Sequence, residues 1–293
     1  MPPAPPPFAP GTLAALAASQ VRAALAAGAL RPIPTEAVTV RDGGMRFVVR
    51  HLPALAAKPR PDWSGPPRDD PFLPPEPPLT VASVPPDHVI VLNKFPVLPG
   101  HLLLVTRGFE HQERLLRPGD LEALWRCMAE IPGLGFYNGG VEAGASQPHK
   151  HLQLAPYPLG AGEDLPLAAL AAEARGERVP GLPFRHAFAR LPALPEAPAA
   201  AAGVLHALYR ALLEAAGVGV RAAADGERQG RPYNLLLTRE WMLLVPRSRE
   251  RYAGVSVNGL GFAGSLFAPD RAGLARLLAA RPMTVLRAVA DPP

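Results

Sequence analysis

Apolar positions along this chain follow two periods, and the shorter one dominates the middle. The runs His88-Val-Ile-Val-Leu-Asn93 and His101-Leu-Leu-Leu-Val-Thr106, joined by a loop that closes on Pro99-Gly100, predict two buried neighbouring strands. Residues 233–238 and 241–246 predict a hairpin that runs into a basic turn at 247–251, and β-like runs between Ala37 and Arg50 flank the hairpin signal Asp42-Gly43-Gly44. Helical spacing appears at 11–30, ending near Gly28, at 118–131 with Asp120 as N-cap, near 201–216, and at 270–280. Proline density makes residues 58–78 an extended surface strap, and a second Pro- and Ala-rich stretch, about 156–200, reads as a linker. Asn258 to Gly264 reads as a flexible loop. There are no repeats, and the fold class is α+β.

Chemistry concentrates in Ser146-Gln147-Pro148-His149-Lys150-His151-Leu152-Gln153. In an extended strand alternate side chains share a face, so His149, His151 and Gln153 line one side while Lys150 and Leu152 face the other. An imidazole attacks phosphorus well and the phosphoramidate it forms is labile, which makes His151 a candidate nucleophile and His149 a neighbour that is within reach of the same phosphate or steadies the charge around it. The glycines at 139, 140 and 144 would let backbone N–H groups approach phosphate oxygens. A His-x-His pair is also half of a metal site, but no cysteine cluster or second histidine pair supplies the missing ligands, so no metal ligands are assigned.

Composition narrows the setting. The 293 residues are 48% hydrophobic, enough for a substantial core, and the single Cys127 can form no internal disulfide, which points to a reducing, cytoplasmic compartment. No apolar run approaches the roughly 20 residues of a spanning helix, and no signal peptide is recognised at Met1-Pro2-Pro3. A net charge of +5 would suit any polyanion, yet aromatics are only 6% and basic residues form no runs, so neither nucleic acid nor membrane is expected as partner. Of 30 basic residues just three are lysine, Lys58, Lys94 and Lys150, as expected where a phosphate pocket demands a compact ammonium.

Three collinear blocks carry a resemblance. Residues 93–106, 136–153 and 233–247 look like the diadenosine tetraphosphate phosphorylases, or ATP adenylyltransferases, of the histidine-triad superfamily, over about Leu52 to Phe267. The resemblance implies a histidine-triad-like antiparallel sheet with flanking helices, extended by a C-terminal α+β portion. It divides the chain into a tail and helix at 1–35, a catalytic core at 36–160, a linker at 161–200 and a C-terminal portion at 201–293. It implies the reaction of diadenosine tetraphosphate with inorganic phosphate to give ATP and ADP, reversibly, with His151 as nucleophile and His149 and Gln153 beside it. Adenylyl contacts would fall on Asn138, Gly144, Ala145, Ser146, Gln147 and Gln153, and other substrate contacts on Lys58, Asn93, Lys94, Asn258, Gly259 and Leu260. Two positions depart from the family pattern: Ser265 stands where a larger apolar residue is usual, and a lysine expected near Pro269 is missing.

Gln153 supports transfer over hydrolysis, because an amide exchanges no proton at neutral pH while phosphate, unlike water, needs no activation. A divalent cation such as Mg2+ would arrive on the substrate phosphates. The competing readings are a hexose-phosphate nucleotidyltransferase, a histidine-triad dinucleotide hydrolase and a non-catalytic nucleotide sensor. The oligomeric state is open.

Overall fold

The computed structural model describes residues 5–51, 62–160, 162 and 165–293. In chain order the elements are helix α1 (Leu13–Ala26), strands β1 (Glu36–Asp42), β2 (Met45–His51), β3 (Thr80–Val84), β4 (His88–Leu92) and β5 (Leu102–Thr106), and helix α2 (Pro118–Glu130). Then follow β6 (Gly133–Gly139), β7 (His151–Pro156), α3 (Ala168–Ala172), β8 (Ala187–Arg190), α4 (Pro198–Ala215), β9 (Val220–Ala223), β10 (Gly226–Gln229), β11 (Tyr233–Leu237) and β12 (Trp241–Pro246). The chain closes with β13 (Arg251–Tyr252), β14 (Val255–Ser256), α5 (Gly259–Phe262), β15 (Ser265–Ala268), α6 (Arg271–Ala280) and α7 (Pro282–Val289).

Eight strands form one antiparallel sheet in the order β3-β4-β5-β7-β6-β11-β12-β8. Period-two alternation sorts its side chains. Ile90, Leu104, Leu152, Leu154, Tyr137, Leu235 and Leu244 join α1, α2 and α4 in one core, whereas Phe136, Leu236, Leu243 and Val245 join α5, α7 and the β1-β2-β15 sheet in a second core on the other face. Each fully buried aliphatic side chain contributes about 1.5–3 kcal/mol, so a sheet packed on both faces makes a stiff platform. Across β3, β4, β5 and β7 the second face carries instead a small cluster of Phe72, Val89, Val91, Leu103 and Val105, and it is here that His151 and Gln153 emerge.

Close packing explains one glycine in this platform. A Cβ at Gly135 would lie 2.8 Å from the tip of Leu124 and 2.9 Å from the sulfur of Met128, so a larger residue would push these side chains of α2 aside. The helix buries Leu121, Leu124, Cys127 and Met128 on one stripe. Burial pushes the Cys127 thiol up to about 12, which leaves it an inert core residue.

Several expectations change. Asp120 is not the N-cap of α2 but its third residue: Pro118 takes the first helical position, where its missing N–H costs nothing, and Asp120 Oδ2 accepts the Arg117 N–H at 2.7 Å. The segment expected as a linker contains α3 and β8, and β8 pairs with β12 as the eighth strand of the main sheet. The C-terminal portion therefore extends the core sheet through β6–β11 rather than packing against it. Asn258 to Gly264 is not a flexible loop; Asn258 caps α5, whose four residues are buried. A helix beyond residue 280, α7, begins at Pro282, a residue that signals a stop when it follows a helix and a start when it opens one. Among the described residues no helix is long and apolar enough to cross a membrane.

Candidate active site

His151 opens β7 opposite Val105, and Gln153 two residues on lies opposite Leu103 and Phe136, so both side chains stand on the face with the small apolar cluster. The His151 ring is 4% exposed and its Nδ1 lies 2.7 Å from the carbonyl oxygen of His149. A carbonyl only accepts, so Nδ1 carries the proton and the lone pair is on Nε2. Burial lowers the His151 pKa to about 4; the bond to the His149 carbonyl opposes this, the His149 charge adds to it, and the Asp70 charge opposes it. The ring is a neutral imidazole at neutral pH.

The backbone around His151 is pinned by Gln112, which is fully buried. Gln112 Oε1 accepts the His151 N–H at 2.8 Å, and its Nε2 donates to the carbonyls of Asn138 at 2.9 Å and His151 at 3.3 Å. This amide bridges β6 and β7 where their ladder opens. Asn138 Oδ1 in turn accepts from Asn234 Nδ2 at 2.8 Å and from the Gly259 N–H at 2.9 Å, so the head of α5 is tied to the sheet beside His151. Arg247, buried at 2% exposure, donates to Asn234 Oδ1 at 2.6 Å and to the Val289 carbonyl at 3.1 Å. Burial lowers its pKa to about 9, which still leaves it charged at neutral pH.

The turn after β6 packs against the same loop. Gly144 has φ +85°, and a Cβ there would lie 2.7 Å from the Val257 carbonyl and 2.8 Å from Asn258, so glycine is required on both counts. The expected anion nest at the glycines does not form, because the N–H groups of Gly140, Gly144 and Ala145 bond to Asn138, Val141 and Gly140 inside the turn. Free donors begin one residue later: among the described residues the Ser146 and Gln147 N–H groups have no acceptor. Leu260 lies in the second core at 1% exposure, and Asn258 Oδ1 caps the Leu260 N–H, so Leu260 places the loop and its side chain offers nothing to a ligand.

On the other side of Gln153 the sequence reading missed His101. Asn93 Oδ1 accepts the Phe95 N–H at 3.2 Å, which turns its Nδ2 toward His101 Nδ1 at 3.1 Å. The proton of His101 is therefore on Nε2, a buried donor beside the Gln153 side chain. Its pKa is lowered to about 4, by burial above all, with Gln153 opposing and the His151 charge adding. The signal was present in His101 heading a strand-length apolar run.

The lysines part company. Lys94 pairs with Glu76 at 2.6 Å at the surface, Lys58 lies outside the described residues, and Lys150 is completely buried on the opposite face, 2.5 Å from Asp120 Oδ2 and 3.0 Å from the Leu115 carbonyl. Lys150 is thus a structural ion within a network that also joins His88 to Asp120 at 2.9 Å, rather than a source of positive potential for a ligand. Of the two roles expected of His149, direct contact with the phosphate does not fit its partners. Its Nδ1 is 2.8 Å from Asp70 Oδ2 and its Nε2 is 2.9 Å from the Thr106 carbonyl, so both ring nitrogens are engaged within the protein rather than open to the phosphate that His151 would attack. At the two positions that depart from the family pattern, Ser265 Oγ accepts from Arg50 Nη1 at 2.6 Å, and Pro269 precedes Asp270, the N-cap of α6.

Residues 4–173 match the family model of the Ap4A phosphorylase N-terminal domain, and residues 180–292 match that of the ATP adenylyltransferase C-terminal domain. The chain belongs to the Ap4A phosphorylase family. Diadenosine 5',5'''-P1,P4-tetraphosphate phosphorylase 2 of Saccharomyces cerevisiae is 30% identical over 261 residues, covering 79% of each chain. Protein APA1 of the same yeast is 28% identical over 283 residues, 88% of this chain and 87% of its own. The crystal structure of yeast Ap4A phosphorylase Apa2 superposes with a TM-score of 0.80 at 24% identity, over 97% of this chain and 96% of that one. Apa2 in complex with Ap4A gives a TM-score of 0.78 at 25% identity over 97% and 99%. The fold is therefore the α+β antiparallel sheet with flanking helices that the sequence implied.

Proposed function

We propose that this chain catalyses the reversible phosphorolysis of diadenosine tetraphosphate by inorganic phosphate to ATP and ADP, through adenylyl-His151. One observation carries the reading: the His151 ring is buried, neutral and held by its Nδ1–H, so Nε2 faces the site as a lone pair that needs no base to free it. Nε2 attacks the phosphorus of one adenylyl group, the bond from that phosphorus to the bridging oxygen breaks, and ATP leaves with the electron pair. Phosphate oxygen then attacks the same phosphorus, the P–N bond breaks, and ADP leaves as the ring regains its lone pair. The proton stays on Nδ1, hydrogen-bonded to the His149 carbonyl, throughout, so neither step requires a proton to be moved. Gln153, the His101 Nε2–H and the Ser146 and Gln147 amides supply donors for the phosphate oxygens, and Asn138, Gly144 and Asn258 shape the wall of the site. Gln153 can orient the adenylyl phosphate but cannot activate water, which favours phosphate as acceptor.

Among the described residues no three His, Cys, Asp or Glu side chains converge on a metal position. A divalent cation is assigned to the substrate polyphosphate, and no step is routed through it. The crystal structures of Apa2 with Ap4A and with AMP support nucleotide substrates for the corresponding site here.

Mass spectrometry of protein incubated with diadenosine tetraphosphate and no phosphate should locate one adenylyl group on His151, and adding phosphate should discharge it as ADP. Turnover to ATP and AMP in phosphate-free buffer would reject transfer in favour of hydrolysis. A nucleophile whose pKa is about 4 also predicts a pH profile of kcat/KM with its acid limb near 4 rather than 6.5. An acid limb near 6.5 that belongs to His151 would show the ring to be more open to water than its burial implies.

A further inference from the structure

Asp70 belongs to the proline-rich strap, between Asp69 and Pro71. Its carboxylate is 7% exposed. Oδ1 accepts the Phe72 N–H at 2.9 Å, and Oδ2 sits 2.8 Å from His149 Nδ1, which locks the strap to the strand that carries the nucleophile. Phe72 then lays its ring against both histidines, 5.6 Å from that of His149 and 5.4 Å from that of His151.

The partners of His149 fix its ring. Nδ1 meets a carboxylate. Nε2 meets the Thr106 carbonyl at 2.9 Å and Thr106 Oγ1 at 3.0 Å, and the hydroxyl hydrogen of Thr106 goes to the Gly108 carbonyl at 2.9 Å. The Thr106 carbonyl can only accept, which places a proton on Nε2, and the Asp70 carboxylate is best matched by a second proton on Nδ1. The other titratable groups around His149 are His111, bridged to it across the sheet edge and bonded to the Trp63 carbonyl, and His151 and Lys150 on its own strand, the latter already paired with Asp120 on the opposite face.

We infer that Asp70 is a positioning residue for the adenylyl transfer: through His149 it holds the carbonyl that fixes the His151 Nδ1 proton, and it keeps a buried imidazolium next to the nucleophile. A fixed positive charge in a dry site favours the negative charge that builds on the phosphoryl oxygens in both steps, and it costs no reorganisation when they occur. The carboxylate keeps that cation in place before substrate arrives. This inference rests on the phosphorolysis reading for its kinetic consequence but not for its structural one.

The test is Asp70→Asn in the full-length protein, with two readouts. Nitrogen-15 NMR of the histidine side chains, with His149 assigned by loss of its signals in His149→Gln, should show both ring nitrogens protonated in the wild type at neutral pH and one bare nitrogen in Asp70→Asn. Asparagine can still accept the Phe72 N–H, so the strap keeps its seat while the charge is lost. In steady-state assays kcat should fall by about tenfold or more while KM changes by less than about threefold, because the lost interaction is made chiefly in the transition state. A bare nitrogen on His149 in the wild type, or an Asp70→Asn kcat within about twofold of the wild type, overturns the inference. A wild type inactive on diadenosine tetraphosphate but with a doubly protonated His149 would sink the reaction and leave the Asp70–His149 pair standing.

Discussion

His151→Ala should abolish phosphate-dependent formation of ATP and ADP, with kcat falling on the order of 10⁴-fold or more, because the nucleophile of a covalent route has no substitute. The fold should survive. The bond to Gln112 and the pairing with Val105 use the backbone of His151, and the ring's bond to the His149 carbonyl is local. Assays of ATP release with thermal unfolding in parallel would separate the two effects. Nearly full turnover in a folded His151→Ala protein would eliminate the covalent route, and phosphate would then have to attack the dinucleotide directly.

Asp120→Ala should have the largest effect on stability. Burial alone would push the Asp120 carboxyl up, but the Lys150 charge, the bond and charge of His88 and the Arg117 N–H together hold it well below the usual carboxylate range. Removing Asp120 strands Lys150, which is fully buried, and breaking such a pair costs about 3–5 kcal/mol. Melting should drop by on the order of 10 °C in a chain of this size. A double replacement, Asp120→Leu with Lys150→Met, should recover most of the loss, since it removes both charges from the apolar interior. The sign with pH follows from the depressed folded value: the contribution is complete above the unfolded carboxyl pKa, about 3.9, and is lost as pH falls through the lower folded one. A melting temperature unchanged in Asp120→Ala would mean that Glu110, already 3.5 Å from Lys150, suffices as its partner.

The parts of the fold that follow local rules were legible in the chain. Alternation placed His151 and Gln153 on one face and Lys150 on the other, and Asp42-Gly43-Gly44 marked its hairpin. Elements decided by distant partners were not. The sequence around β8 looks like linker because proline and alanine dominate it, yet its pairing with β12 is decided by residues some fifty positions away. Asp70 and Gln112 carry no local pattern at all; each becomes a site residue only because the folded chain brings the strap and the strand ends to β7. Rarity alone did not reveal that Lys150 is a buried partner of Asp120.

The pairing of β6 with β11 has a wider implication. The two family segments meet along a continuous ladder inside one sheet, five residues from each strand in register. Severing the chain between them would bare two central strand edges, each rich in leucine and aromatic side chains and each a template for indiscriminate self-association. Although the family divides by sequence into two modules, each half supplies strands that the other needs to complete the main sheet.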